Sequence, residues 1–281
     1  MLRKIYYEIL WILPKKLAIK IKYYVATKKK INFKDPKDFN QKILYLLVNE
    51  YGDLETQCAD KYKMREYIKE KGLDLYLPKL YGVYNNANEI IFEDLPEECV
   101  LKTNHGCGCT FIKRKGQEID EKFVKKELNK SLKNNFAKNT LEYQYRDIKP
   151  RIICEEYIKE GGKINPLDYK FYCFKGRVEC VLLCSEREQQ LRLDYYDTNW
   201  EKLDYAKPEY KSDKIYEKPR NFEKMIEIAS KLSEDFPWVR VDLYNVEGRI
   251  YIGELTFTPA AGIIKYNTQE SLNYLGKLIE I

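Results

Sequence analysis

Asp242 and Glu254 are two acids placed so that they could share a cation. Each sits on a stretch that alternates apolar and polar residues, Val239 to Tyr244 and Ile250 to Thr256, and Asn245 to Arg249 between them carries turn chemistry with Gly248. A β-hairpin follows. Period-2 geometry puts Arg240, Asp242 and Tyr244 on one face of the first strand, and Ile252, Glu254 and Thr256 on one face of the second. A hairpin centred on Gly248 sets Asp242 directly opposite Glu254, where like charges on neighbouring strands repel unless a cation lies between them. A two-residue turn at Glu247-Gly248 would slip the register by one and send the acids to opposite faces, so the metal-binding reading needs the looser turn. A solvated strand face whose acids pair with lysines accounts for the same residues, and on these residues alone the two readings stand level.

Three other stretches carry groups that could act on an anionic ligand. Val100 to Cys109 reads as a strand bearing Lys102 that runs into a small loop, Asn104-His105-Gly106-Cys107-Gly108-Cys109. Such a loop lets backbone N–H groups approach phosphate oxygens while a lysine adds a point charge, although a plain hairpin turn explains the glycines as well. Ile153 to Ile158 ends a strand at Glu155, Glu156 and Tyr157 and leads to a Gly161-Gly162 break, where exposed backbone can read a base edge. Asp168, Lys170 and Tyr172 share one face of a further strand, as a solvated ion pair or as part of a site.

These strands need a framework, and the chain is long enough to supply one. Its 281 residues, 44% hydrophobic with 25 tyrosines and 11 phenylalanines, can bury one large core or two modest ones, and no apolar run approaches the ~20 residues of a membrane span. Helical spacing marks residues 39–47, 60–71 (ended by Gly72), 120–134, 222–236 (with Asn221 as cap) and 269–279. Strands are expected at 80–83, 99–103, 151–157, 167–174, 177–184 and 191–196, with Lys175-Gly176 as a tight hairpin turn. Residues 1–30 mix apolar and basic side chains around Pro14. They could form a basic helical pair resting on an anionic membrane surface, or a helical hairpin packed on its own domain with its lysines in water. With 50 basic and 44 acidic residues the net charge of +6 is too mild to argue nucleic acid, and no recognition motif for it is visible. Eight cysteines without a signal-peptide pattern point to free thiols in a reducing, cytoplasmic setting. The single histidine, His105, and the cysteine spacings do not make a zinc set.

Taken in order, the lysine strand with its loop, the acidic strand exit, Asp-x-Lys, Arg-x-Asp and Glu-x-Thr resemble the ATP-grasp enzymes. More narrowly, FNQKILYLL, CADKYKMREYIKEKG, VLKTNHGCG, DYKFYCFKGR, the segment Asp197-Thr198-Asn199-Trp200 and VRVDLY to GELTFTPAAG resemble the TupA-like ATP-grasp family of bacterial surface-polysaccharide gene clusters, over roughly residues 32–281. The resemblance implies an α+β ATP-grasp fold, two α/β lobes with nucleotide between them: a helical N-terminal segment (1–75), a small lobe (76–157) and a large lobe (158–281). It implies ATP and Mg²⁺ as cofactors. Lys102 would contact phosphates and the loop Asn104 to Cys109 would fold over them, bringing in His105, Gly106, Cys107 and Gly108. Glu155, Glu156, Tyr157 and Ile158 would form the hinge that meets adenine. Asp168 would face the ribose and Lys170 would be a second phosphate-binding cation. Asp242 and Glu254 would bind magnesium, with Arg240 beside the transferring phosphoryl group. Two positions depart from the pattern: serine is more usual where Cys107 stands, and asparagine where Thr256 stands. A threonine hydroxyl is the weaker magnesium ligand.

The implied reaction is ATP-dependent condensation of a carboxylate, on a uronic acid or acidic amino acid unit of a surface glycan or its precursor, with an amine. The acceptor pocket would be built partly from the first 75 residues. Placement at the inner face of the membrane is compatible with the basic N-terminal segment. A glycosyltransferase would need an Asp-x-Asp or a nucleotide-sugar fold, and neither is visible; a non-catalytic nucleotide-binding relative would share the fold alone.

Overall fold

The structure is a computed structural model that describes residues 2–159, 166–186 and 190–281; the Gly161-Gly162 break lies outside the described residues. The chain opens on helices α1 (Leu2–Ile12), α2 (Lys15–Thr27), α3 (Phe39–Asn49), α4 (Asp53–Ala59) and α5 (Met64–Glu70). Pro14 separates the first two, and the Asp38 carboxylate accepts the Gln41 N–H at 2.9 Å to start α3. The expected helix over 60–71 is shorter at its start. Asp60 instead accepts backbone N–H groups of Tyr62 (2.8 Å) and Lys63 (3.3 Å) in the turn between α4 and α5, and α4 itself has no counterpart in the sequence reading.

Strands β1 (Leu80–Tyr84), β2 (Cys99–Thr103), β3 (Thr110–Lys113) and, beyond helices α6 (Glu121–Leu132) and α7 (Phe136–Thr140), β4 (Ile152–Glu155) form an antiparallel sheet in the order β1-β4-β2-β3. Val124 and Leu128 of α6 close its apolar face against Leu101, Ile152 and Cys154. Strands β5 (Asp168–Phe174), β6 (Arg177–Ser185), β7 (Arg192–Tyr196) and β8 (Lys202–Leu203), then, after helix α8 (Phe222–Ser233), β9 (Val239–Val246) and β10 (Arg249–Thr256) build a second antiparallel sheet, β10-β9-β5-β6-β7-β8. Helix α9 (Gln269–Lys277) follows.

Alternation along β5 sorts the second sheet into two cores. Tyr169, Phe171 and Cys173 face Phe222, Met225 and Ala229 of α8 together with Cys58, Met64 and Ile68 of α4 and α5. Tyr172 and Phe174 face Phe39 and Ile43 of α3 and Leu272 and Leu275 of α9, with the buried Trp238 ring edge-on to Phe39 at 4.6 Å. The N-terminal helices thus contribute to both cores of the large sheet. Asp168 and Lys170 lie on the same face as Tyr172, toward the other end of the strand, and neither belongs to this apolar cluster. Asn221 stands at the N-cap of α8 as expected, its carbonyl accepting the Met225 N–H at 3.0 Å, but its side chain makes no capping hydrogen bond. It takes a left-handed conformation (φ 59°), and its side-chain N–H donates 2.7 Å to the Gly248 carbonyl, fastening the β9–β10 turn to the helix. Among the described residues no helix is long and apolar enough to cross a membrane.

Candidate functional site

The hairpin β9–β10 meets the sequence-based expectation by an unexpected route. Val246 pairs with Arg249, so the turn is the tight two-residue form at Glu247 (φ 53°) and Gly248 (φ 89°), the one that should have parted the two acids. A bulge at Gly253 then shifts the register, and beyond it Glu254 pairs with Asp242 and Thr256 with Arg240. The looser turn is therefore not needed. Backbone crowding explains a glycine at the bulge: a Cβ there would lie 2.9 Å from Tyr244 Cε2 and 3.2 Å from the Asp242 carbonyl oxygen.

Around this hairpin, charges alternate. The Arg240 guanidinium donates to both Asp242 oxygens, Nε at 2.6 Å and Nη2 at 2.7 Å, while Nη2 also reaches Thr256 Oγ1 at 3.1 Å and Glu254 Oε1 at 3.4 Å. The Lys170 ammonium, paired in register with Asp242 across β5 and β9, contacts the Asp242 carboxylate and lies 2.7 Å from Asp168. Burial and Arg240 work to lower the Lys170 pKa, but Asp242 and Asp168 outweigh them and raise it, so the ammonium stays charged. Burial pushes Asp242 up, against the opposing pull of Arg240 and Lys170. Glu254 behaves oppositely. Although burial works to raise it, Lys61, Lys170 and Arg240 hold its carboxyl well below the usual range.

Lys61 is the residue that sequence reasoning missed. From the turn between α4 and α5 its ammonium donates 2.8 Å to the Gly106 carbonyl and stands 3.4 Å from Glu254 Oε2, tying the glycine-containing loop to the acidic hairpin. The available signal was the segment CADKYKMREYIKEKG, in which nothing distinguishes Lys61 from its neighbours until the chain is folded.

A cleft of about 340 Å³ lies between the two sheets. Lys102, Gly106, Cys107 and Gly108 line one wall, Tyr244, Gly253 and Glu254 the other, and Glu155, Glu156, Tyr157 and Ile158 close the back beside the apolar Pro78, Val100 and Ile112. Lys102 forms an ion pair with Glu155. The Glu156 carboxylate accepts the Lys79 N–H at 3.1 Å and the Tyr251 hydroxyl at 3.1 Å, a bond from the strand exit to the hairpin. Two expected loop contacts turn elsewhere. Asn104 is fully buried, its Nδ2 donating to Asp60 (2.8 Å) and the Lys149 carbonyl (3.0 Å) and its Oδ1 accepting from the Arg151 N–H (2.7 Å), so it shapes the loop from beneath. His105 packs against the segment after α6, with Nε2 3.3 Å from the Asn134 carbonyl, and burial lowers its pKa. Asp168, only 2% exposed, lies behind Lys170 and does not line the cleft.

A second pocket of about 370 Å³ opens beside Lys170 and Arg240, lined otherwise by apolar side chains such as Leu182 and Leu193, with Cys184, Ala260 and Tyr266. Ala260 and Ala261 are both left-handed (φ 51° and 54°), a strained turn. The buried Lys22 of α2 holds it by donating 2.7 Å to the Ala261 carbonyl and 2.7 Å to the Thr140 carbonyl. Of the first 75 residues only Lys61 lines either of these two pockets among the described residues.

Asp242, Glu254 and Thr256 offer two carboxylates and a hydroxyl within one hydrogen-bonded group, and no cluster of three or more His, Cys, Asp or Glu residues forms a cage among the described residues. These are hard oxygen donors of the kind Mg²⁺ takes, one or two carboxylates at a time with water and substrate phosphates completing the shell. Of the three, however, only Glu254 lines the cleft, and both Asp242 oxygens are held by Arg240 and Lys170, contacts an ion there would have to displace.

A family model described as TupA-like ATPgrasp matches residues 41–280. Among solved structures, the chain is similar to D-alanine--D-alanine ligase from Bacillus anthracis complexed with ATP (14% identity, TM-score 0.47, covering 86% of this chain and 68% of that one). It is also similar to L-amino acid ligase from Bacillus licheniformis (12% identity, TM-score 0.43, 85% and 53%) and to phosphoribosylglycinamide synthetase from Anaerococcus prevotii (17% identity, TM-score 0.40, 78% and 48%). The chain thus spans from about half to two thirds of their lengths. No curated protein matches it in sequence. With its motifs in the matched span and its two antiparallel sheets around one cleft, the chain belongs to the TupA-like ATP-grasp family.

Proposed function

We infer that the chain is an ATP- and magnesium-dependent carboxylate–amine ligase that forms an amide, acting on a uronic acid or acidic amino acid unit of a bacterial surface or capsular polysaccharide or its precursor. The polysaccharide setting is supported by the family resemblance, and the reaction type by the charge arrangement around the cleft. A carboxylate resists attack by an amine because its carbon is electron-rich and oxide leaves poorly. Transfer of the ATP γ-phosphoryl group makes it an acyl phosphate: a carboxylate oxygen bonds phosphorus as the bond to the bridging oxygen breaks and ADP leaves. The amine then bonds the acyl carbon, inorganic phosphate departs with the C–O electron pair, and the extra proton goes to solvent.

The first step sets a carboxylate against a phosphate, a repulsion of about 4 kcal/mol per charge pair at ~4 Å and an effective dielectric of ~20. Lys102 and Lys61 at the cleft wall, then Lys170 and Arg240 where the second pocket begins, form a run of cations along that path. This run is the observation that carries the reading. The same cations are matched one for one by Glu155, Glu254, Asp168 and Asp242, so the cluster is near neutral and a triphosphate would bring roughly four negative charges that need added cations. Asp242, Glu254 and Thr256 would hold magnesium, whose charge compensates the phosphates in the ground and transition states. The chain's own residues do the rest. Lys102 and the loop bind phosphate oxygens, Lys61 holds the loop, and Arg240 is positioned to share its guanidinium between Asp242 and a transferring phosphoryl group. A coupled ADP-release screen of carboxylic acids against amines tests the reading, with Asp242→Asn as control. ADP production that needs both an acid and an amine supports it, and an Asp242→Asn variant as active as the parent contradicts it.

A further inference from the structure

Helix α1 is apolar on two opposite faces, and the fold covers only one of them. Leu10 is buried, Tyr6, Tyr7 and Trp11 pack beside it, and the Trp11 ring stacks on Tyr143 at 5.6 Å. On the other side Leu2, Ile5, Ile9 and Ile12, spaced three, four and three residues apart, make a single stripe that stays 82%, 45%, 55% and 80% exposed. A helix hydrophobic all round is ordinarily enclosed, so four aliphatic side chains in line on the solvent side call for a partner. Helix α2 continues the surface with the exposed Leu17 and Tyr24 among Lys16 and Lys20.

Charge says which partner. Residues 1–30 hold nine basic residues against one acid, Glu8, while the other 251 hold 41 basic against 43 acidic, so the whole positive excess of the chain lies in this hairpin. Arg3, Lys4, Lys15, Lys16, Lys20 and Lys28 to Lys30 are all exposed. A second copy of the chain would set one positive surface against another. A nucleic acid would leave the aliphatic stripe in water. An anionic bilayer accepts both features, because aliphatic side chains enter the headgroup–acyl boundary while lysine stems lie along it and place their ammonium groups among the phosphates.

We propose that the α1–α2 hairpin is a docking surface for an anionic lipid bilayer, with α1 lying in the interfacial plane and Leu2, Ile5, Ile9 and Ile12 inserted. Lys22 ties α2 to the turn at Ala261, so the docked hairpin is fixed to the wall of the second pocket and holds the site at a constant distance from the bilayer. This holds whatever reaction the site performs.

The test is co-sedimentation of the full chain with extruded vesicles of phosphatidylcholine alone and of phosphatidylcholine mixed with phosphatidylglycerol. The parent should bind the anionic vesicles at least about tenfold more tightly than the neutral ones, and less tightly as salt rises. Ile9→Glu/Ile12→Glu should weaken that binding at least about tenfold, and so should Lys16→Glu/Lys20→Glu, with helical content and thermal midpoint unchanged because all four side chains are exposed. Failure of the parent to bind anionic vesicles at low salt would overturn the proposal. So would binding that the Ile9/Ile12 pair does not affect, or a dimer in light scattering that the same pair dissolves.

Discussion

Asp242 faces Glu254 across the β9–β10 hairpin because Gly253 inserts one extra residue between a tight turn and the site. Without that bulge, strict alternation from Glu247-Gly248 would send the two carboxylates to opposite faces of the sheet. Replacing Gly253 with valine therefore acts on the site through register. The new side chain would collide with Tyr244 and the Asp242 backbone, at a cost of about 1–3 kcal/mol. A lower thermal midpoint together with loss of magnesium-dependent nucleotide binding is expected. A folded Gly253→Val protein that binds as tightly as the parent would show that the bulge does not set the site.

Lys61→Met removes the link between the glycine-containing loop and Glu254. Nucleotide affinity should fall about tenfold, in line with loss of one charge-assisted contact near 1.4 kcal/mol, and Lys61→Arg should restore part of it. Hydrogen exchange at Gly106 to Gly108 should quicken in the methionine variant, a change that damage elsewhere would not produce.

How much of this was legible beforehand differs by residue. Alternation exposed the faces of β5 and β9, and so grouped Asp168 with Lys170 and Arg240 with Asp242, because period 2 is local. On β10 it failed at the bulge, where Ile252, expected on the face of Glu254, packs in the core with Leu243 and Leu255. The bulge was not legible as periodicity, and its only trace was a glycine inside a strand, which also fits plain weakening of the strand. Lys61 is one of 50 basic residues and acquires its role from contacts 45 residues away at Gly106 and far beyond at Glu254, separations no local pattern reports. Asn104 carried the opposite lesson. In sequence it belongs to a phosphate-approaching loop, but burial against Asp60 and Arg151 turned its amide inward. Asn221 likewise has a capping residue type, while the nearby Gly248 carbonyl offered its amide a better partner.

Arg240→Lys keeps the charge but loses the fork that grips both Asp242 oxygens. ADP release should slow by about 10²-fold or more with the protein still folded. Arg240→Ala should also destabilise the fold by about 3–5 kcal/mol, because it strips a buried carboxylate of one of its two cations. Equal rates for Arg240→Lys and the parent would exclude Arg240 from the chemistry.

Lys22 gives the stability a pH dependence. Burial lowers its pKa from 10.5 to about 8, against a smaller upward pull from Glu142. Between pH 8 and pH 10.5 the unfolded chain therefore binds a proton that the folded chain has released, and unfolding free energy rises with pH across that window. In denaturant melts from pH 7 to 10.5, the stability of the parent minus that of Lys22→Met should grow by about 3 kcal/mol. A pH-independent difference would mean that the ammonium is not desolvated in the folded state.

Calorimetric titration of the full chain with a non-hydrolysable ATP analogue, with and without magnesium, tests the central claim most directly. Magnesium should tighten binding by about tenfold or more in the parent, and this gain should vanish in Asp242→Asn and in Glu254→Gln, the latter altering a side chain 35% exposed and so sparing the core. Nucleotide binding that is indifferent to magnesium, or a gain that survives both substitutions, would contradict the account.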